Sequence, residues 1–177
     1  VVNNPPAISL TVSATSVLCN GQSTGSITFN TFGGTAPLNY LITSSNPSIS
    51  GIIPSISSTN TVISNLPAGN YTVLITDANG CTNSVVITIN QPPALVLTGV
   101  ITNVLCKGTS TGAITTTLTG GVGPYTYNWT PGGSINNLTG IPAGNYTLIV
   151  SDLNGCQLPA QTWTVTEPLL PVSISLS

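Results

Sequence analysis

The sequence predicts an all-β chain of two tandem antiparallel β-sandwiches, and three observations predict it. One stretch occurs twice, as LPAGNYTVLITDANGC over residues 66–81 and as IPAGNYTLIVSDLNGC over residues 141–156. In each copy a Pro-Ala-Gly-Asn turn launches a strand with apolar alternate residues, Tyr71, Val73, Ile75 and Tyr146, Leu148, Val150, and an Asn-Gly turn ends it at a cysteine. A second block, VLCNGQSTGSITFNTFGGTAPLNYLI over 17–42, returns as VLCKGTSTGAITTTLTGGVGPYTYNW over 104–129. Finally, the runs between Gly, Pro and Asn are short and rich in Thr, Val and Ile. None keeps the 3.6-residue apolar period of a helix.

The element-by-element reading follows from that repetition. In the first unit strands are expected near 8–13, 26–31, 38–43, 61–64, 70–76 and 84–90. In the second they are expected near 95–101, 113–118, 125–130, 135–138, 145–151 and 162–166. Six short strands per unit at this spacing predict an Ig-like sandwich. The cysteine blocks are offset by 106 − 19 = 87 residues and the PAGNY blocks by 141 − 66 = 75, so the first unit carries 12 more residues between them. These fall around Ser44 to Ser58 and read as a longer loop or an added hairpin.

Prolines mark the boundaries. Asn4-Pro5-Pro6, Gln91-Pro92-Pro93 and Glu167-Pro168 each precede an alternating strand and read as semi-rigid hinges. The division expected is 5–91 and 92–167 for the two sandwiches, with 1–4 the end of a preceding repeat. Residues 168–177 then form the first strand of a following repeat, or a strand lent to a neighbour through Val172, Ile174 and Leu176.

Composition narrows the function. Of 177 residues 40% are apolar, with mean hydropathy +0.40, so the chain should fold rather than stay disordered. Its only charged side chains are Lys107, Asp77, Asp152 and Glu167. Nucleic acid and anionic lipid are excluded as partners, because both are recognised through clustered Lys and Arg. No run approaches the ~20 apolar residues of a membrane span, so no membrane insertion by this segment is expected. The opening residues lack the pattern of a signal peptide, which places any export signal elsewhere.

Each unit holds two cysteines, Cys19 with Cys81 and Cys106 with Cys156. There is no His and no CxxC, so metal and redox readings fail. The expectation is one intradomain disulfide per unit, stabilising each by about 4 kcal/mol, in an oxidising compartment. Asp77 and Asp152 stand before Asn-Gly at matching places, where Asp caps a turn. Calcium would need several converging carboxylates, and each of these turns offers one. The aromatic set Tyr125, Tyr127 and Trp129 shares a strand face, but Leu38, Tyr40 and Ile42 answer it in the first unit, so core packing is expected. Lys107 replaces Asn20 and reads as solvated. With no His, no Ser or Cys with a base beside it and no phosphate loop, no catalysis and no cofactor are expected.

The blocks Leu18 to Gly21, Ser23 to Ile27, Gly33-Gly34, Pro67 to Tyr71, Asp77 to Cys81 and Pro92 recur as Leu105 to Gly108, Ser110 to Ile114, Gly120-Gly121, Pro142 to Tyr146, Asp152 to Cys156 and Pro168, with Pro124-Tyr125 besides. In that order they resemble the SprB-type repeat of large surface adhesins of gliding Bacteroidetes. The resemblance implies a secreted, extracellular, surface-displayed tandem array used in adhesion or gliding motility, and it supplies no catalytic residue. The leading expectation is a structural stalk whose partners are neighbouring repeats of the same fold. The alternative is a non-covalent extracellular filament whose subunits each donate the C-terminal strand. Ranked last is a module binding surface glycans or ice through Thr115, Thr117, Thr147 and Thr164.

Overall fold

The structure, a computed structural model, describes residues 6–45 and 60–169. The chain divides into two compact units, Val1–Pro92 and Pro93–Ser177. The first unit contains β1 (Ser9–Thr15), β2 (Gly25–Phe32), β3 (Asn39–Ser44), β4 (Asn60–Leu66), β5 (Gly69–Thr76) and β6 (Thr82–Ile89). They make two antiparallel sheets, β1-β2-β4 and β3-β5-β6. The connections from β2 to β3, β3 to β4 and β4 to β5 each change sheet. The six described strands follow the A-B-E and C-F-G arrangement of an immunoglobulin sandwich.

The sheets close on each other because alternate residues are apolar. β2 turns Ile27, Phe29 and Thr31 inward and β5 turns Tyr71, Val73 and Ile75 inward. They meet Tyr40, Ile42, Leu66 and Ile89 in one core. Thr31 is tolerated there because Tyr40 donates its hydroxyl to Thr31 Oγ1 at 3.0 Å.

The second unit repeats the plan with β7 (Val96–Thr102), β8 (Gly112–Thr119), β9 (Thr126–Thr130), β10 (Leu138–Ile141), β11 (Gly144–Ser151) and β12 (Gln161–Val165). Its sheets are β7-β8-β10 and β9-β11-β12, again antiparallel. All twelve described elements are strands. The core is repacked by paired changes. The first unit places Val12 opposite Phe29 and stacks Phe29 on Tyr40 with ring centres 5.1 Å apart. The second has Gly99 opposite Thr116, and Trp163 fills the space, 5.4 Å from Trp129. A Cβ on Gly99 would come within 2.5 Å of the Trp163 indole nitrogen, so the small residue and the large one go together.

One strand of the second unit differs from expectation for a visible reason. The strand expected at 135–138 is β10, at Leu138–Ile141. Before it, Asn137 accepts the Thr116 N–H through its side chain at 2.7 Å, and Asn136 accepts the Thr116 hydroxyl at 2.6 Å. Side-chain bonding replaces a sheet ladder there. β12, expected near 162–166, lies at Gln161–Val165, within one residue of that place.

The disulfide expectation is corrected. Cys81 and Cys106 are free thiols while Cys19 and Cys156 are disulfide-bonded, so neither unit holds the expected pair. The reason lies within each sandwich. Cys19 follows the end of β1 and Cys81 precedes the start of β6, and these are opposite ends of strands ~20 Å long at 3.3 Å per residue. A disulfide needs Cα atoms within about 7 Å. The added loop around Ser44 to Ser58 lies largely outside the described residues, as do Val1, Val2 and the proposed donor residues Val172, Ile174 and Leu176.

Candidate functional site: the two ends of each repeat

Each sandwich has a leading end, where its chain comes in, and a trailing end, where its chain leaves. The repeated motifs lie at these ends.

At the leading end the double glycine grips the incoming segment. Gly34 donates its N–H to the Pro6 carbonyl at 2.8 Å, and Gly121 donates to Pro93 at 2.9 Å. Both pairs have left-handed backbone, φ 74° and 72° at Gly33 and Gly34, 77° and 63° at Gly120 and Gly121. A Cβ on Gly33 would run into the Ala7 carbonyl, and one on Gly120 into that of Ala94. A tight turn alone therefore understates these glycines, since they also admit the backbone of the incoming chain.

Beside them sits the Asp turn. Asp77 is only 4% exposed; its Oδ1 accepts the N–H groups of Asn79 (2.9 Å) and Cys81 (2.8 Å), and its Oδ2 that of Thr35 (3.1 Å). Asp152, 6% exposed, does the same with Asn154, Cys156 and Val122 at 2.9, 2.9 and 3.0 Å. The expected turn cap is thus in place, and it also ties the β5–β6 turn to the loop after β2. The Thr35 N–H, with those of Cys81 and Asn79, holds the Asp77 carboxyl below the ordinary aspartate value against the opposing effect of burial. At Asp152 burial pushes upward most, but the N–H groups of Cys156, Val122 and Asn154 together outweigh it and the pKa is again lowered.

The trailing end is a latch. Gly21 donates its N–H to Gln91 Oε1 at 2.8 Å, Asn20 its side-chain N–H to the Pro92 carbonyl at 2.9 Å, and Val17 its N–H to Asn90 at 2.8 Å. In the second unit Gly108 donates to Glu167 Oε2 at 2.7 Å, Lys107 Nζ to the Leu169 carbonyl at 3.0 Å, and Val104 to Thr166 at 2.9 Å. Lys107 does more than sit in solvent. It stands where Asn20 stands and likewise binds the outgoing chain. The sequence reading missed this latch, and its signal was that Gln91 and Glu167 each precede proline just where the two units end.

The PAGNY block works one step inward. Tyr71 donates its hydroxyl to the Pro67 carbonyl at 2.7 Å and Tyr146 donates to Pro142 at 2.9 Å, four residues upstream in both cases. This is the tyrosine corner of an immunoglobulin sandwich.

Other candidates are accounted for by packing or are dispersed. Trp129 is buried in the core and donates its indole N–H to the Ile135 carbonyl at 2.9 Å, while Tyr127 packs against that core. Tyr125 donates to the Gly120 carbonyl at 2.7 Å. Of the four threonines, Thr115 and Thr117 lie on the outward side of β8, and Thr147 and Thr164 on the outward side of the other sheet. Thr147 pairs with Thr162 at 2.9 Å and Thr164 donates to Asn145 at 2.7 Å, so they form no common platform.

The cysteines divide by end. Cys81 and Cys156 follow the Asp turn at the leading ends, and Cys19 and Cys106 stand beside the latch at the trailing ends. Cys81 and Cys106 are exposed.

Among solved structures the chain is similar to three N-terminal domains of the outer capsid protein Hoc of bacteriophage RB49. That match has 14% identity, 90% of this chain, 57% of that one, and TM-score 0.39. It is also similar to the C-terminal fragment of intimin crystallised with the intimin-binding domain of its translocated receptor. There the figures are 16% identity, 94% of this chain, 65% of that one, and TM-score 0.44. A third similarity is to the mouse nectin-like molecule 4 ectodomain, with 12% identity, 96% of this chain, 67% of that one, and TM-score 0.38. The chain thus spans little more than half to two thirds of these structures, which at such scores say nothing about what it binds. No curated protein sequence matches it. The sequence model of the SprB repeat matches the chain at two positions, residues 11–47 and 98–134, at the same 98 − 11 = 87 residue offset that relates the two latch loops, consistent with two tandem copies.

Proposed function

We propose that this chain is a pair of structural repeats in a secreted, cell-surface adhesin, acting as a stalk for adhesion or gliding motility. One observation carries the reading. Each sandwich grips its incoming chain at one end and latches its outgoing chain at the other, with equivalent positions used in both copies. Such units suit head-to-tail concatenation, in which stability comes from each repeat and its neighbours. The SprB matches support an extracellular adhesin-type repeat. In this reading the chain is not an enzyme, and its partners are further repeats of the same fold. A surface of hydroxyls and amides with almost no charge fits a tethered array better than a free, concentrated protein.

The test is the size of the native polypeptide on a denaturing, reducing gel of material from its source. A band of many hundreds of kilodaltons is expected. A band near 17.9 kDa would overturn the covalent stalk and leave the strand-donating filament. Both described units already hold their own first strand, β1 on β2 and β7 on β8, which leaves that place in each sheet filled.

A further inference from the structure

Asn-Gly occurs three times, as Asn20-Gly21, Asn79-Gly80 and Asn154-Gly155. At such a step an asparagine side chain closes most readily on the backbone, because glycine has no side chain to block the attacking nitrogen. The three steps are held differently. In the Asp turns the attacking N–H is committed to backbone, Gly80 donating to the Asp77 carbonyl and Gly155 to that of Asp152, each at 3.0 Å. The asparagine N–H is committed as well, Asn79 to Asp77 Oδ1 and Asn154 to Asp152 Oδ1 at 2.9 Å each, and both aspartates are buried. At the latch, the Gly21 N–H is donated instead to the tip of an exposed side chain, Gln91 Oε1, at 2.8 Å. Open space surrounds all three glycines, so crowding does not choose among them and hydrogen bonding does.

We propose that Asn20-Gly21 is a deamidation site guarded by Gln91, and that its conversion to aspartate or isoaspartate opens the latch of the first unit. Hydroxide takes the Gly21 amide proton, the nitrogen bonds to Asn20 Cγ, and the Cγ–Nδ2 bond breaks with ammonia leaving. Water then opens the succinimide ring at either carbonyl, giving aspartate or isoaspartate, so one water enters and one ammonia departs. The Gln91 oxygen opposes the first step by holding the proton on Gly21. The product cannot be held as Asn20 was. Asn20 Nδ2 donates to the Pro92 carbonyl at 2.9 Å, whereas a carboxylate there has no proton to give and sets acceptor against acceptor. The second unit lacks the site, since Lys107 stands in place of Asn20. All the groups involved belong to the first unit, so the site does not depend on the stalk reading.

The experiment incubates the intact chain in mildly alkaline buffer and follows each Asn-Gly step by peptide mass mapping, with the chain unfolded in denaturant as the control. Unfolded, the three steps should convert at similar rates; folded, Asn20 should convert first. Gln91→Ala should speed conversion at Asn20 by about threefold to tenfold, the size of one net hydrogen bond, and leave Asn79 and Asn154 unchanged. Gln91→Glu installs the residue that holds Gly108 in the second unit and should keep the guard, which separates loss of this bond from a general loosening of the fold. Asn20→Asp, the product made directly, should show faster amide hydrogen exchange over residues 17–22 than the wild type. The proposal is overturned by faster conversion at Asn79 or Asn154 than at Asn20 in the folded chain, or by an Asn20 rate that Gln91→Ala leaves unmoved or raises no more than the other two. Unchanged exchange in Asn20→Asp would overturn the opening of the latch.

Discussion

Asp77 and Asp152 each spend one buried carboxylate on three backbone N–H groups, and this makes folding sensitive to acid. A carboxyl held below its ordinary value contributes stability above the unfolded pKa of about 3.9, and that contribution is lost as pH falls through the folded value. Thermal melts should therefore give a constant midpoint from neutrality to about pH 5 and a falling one below it. Asp152→Asn should melt lower than wild type at neutral pH, and the gap should narrow as the medium is acidified; a gap independent of pH would contradict the assignment. The tyrosine corner is the second residue-scale device. Tyr146→Phe keeps the ring in the core but leaves the Pro142 carbonyl without its hydroxyl, and denaturant unfolding should record a loss of about 1–2 kcal/mol. The aspartate role was legible in the sequence because Asp before Asn-Gly has few alternatives. The tyrosine role was not, because an alternating Tyr in a strand looks like any other core residue until the turn carbonyl is seen above it.

Among the elements, the paired glycines distinguish backbone strain from steric closure. Gly108 has φ 76° with open space around it, so Gly108→Ala carries only the left-handed backbone cost of about 1–2 kcal/mol. Gly120 has a similar φ, but its Cβ would meet the Ala94 carbonyl. Gly120→Ala should therefore cost about 3 kcal/mol or more, since the incoming chain must also be displaced. Chemical denaturation of the two variants side by side would check this, and equal losses would remove the gripping role. Strand positions were readable from the period of two wherever a strand packs on both neighbours, as in β2, β5, β8 and β11. One was misplaced where side chains take over the ladder, at β10, because polar bonding of Asn136 and Asn137 leaves no trace in an apolar pattern.

For the whole molecule, each of the two units is built around a hydrophobic core of its own. Calorimetry should therefore resolve two unfolding transitions, one for each core. A single transition with equal calorimetric and van't Hoff enthalpies would contradict this.

The sequence by itself determined the all-β class, the two-fold repetition, the SprB motifs and most strand positions. These depend on local periodicity and on turn chemistry, both of which are written in adjacent residues. Only the tertiary structure decided which cysteines are bonded, why Gly33 and Gly120 must be glycine, and that Asn20 and Lys107 hold the outgoing chain. Such relations join residues up to 72 positions apart, and they arise from which end of a sandwich a loop occupies. Cysteine count and spacing carry no record of that end, since a pair at opposite ends of a strand and a pair at one end look the same in one dimension.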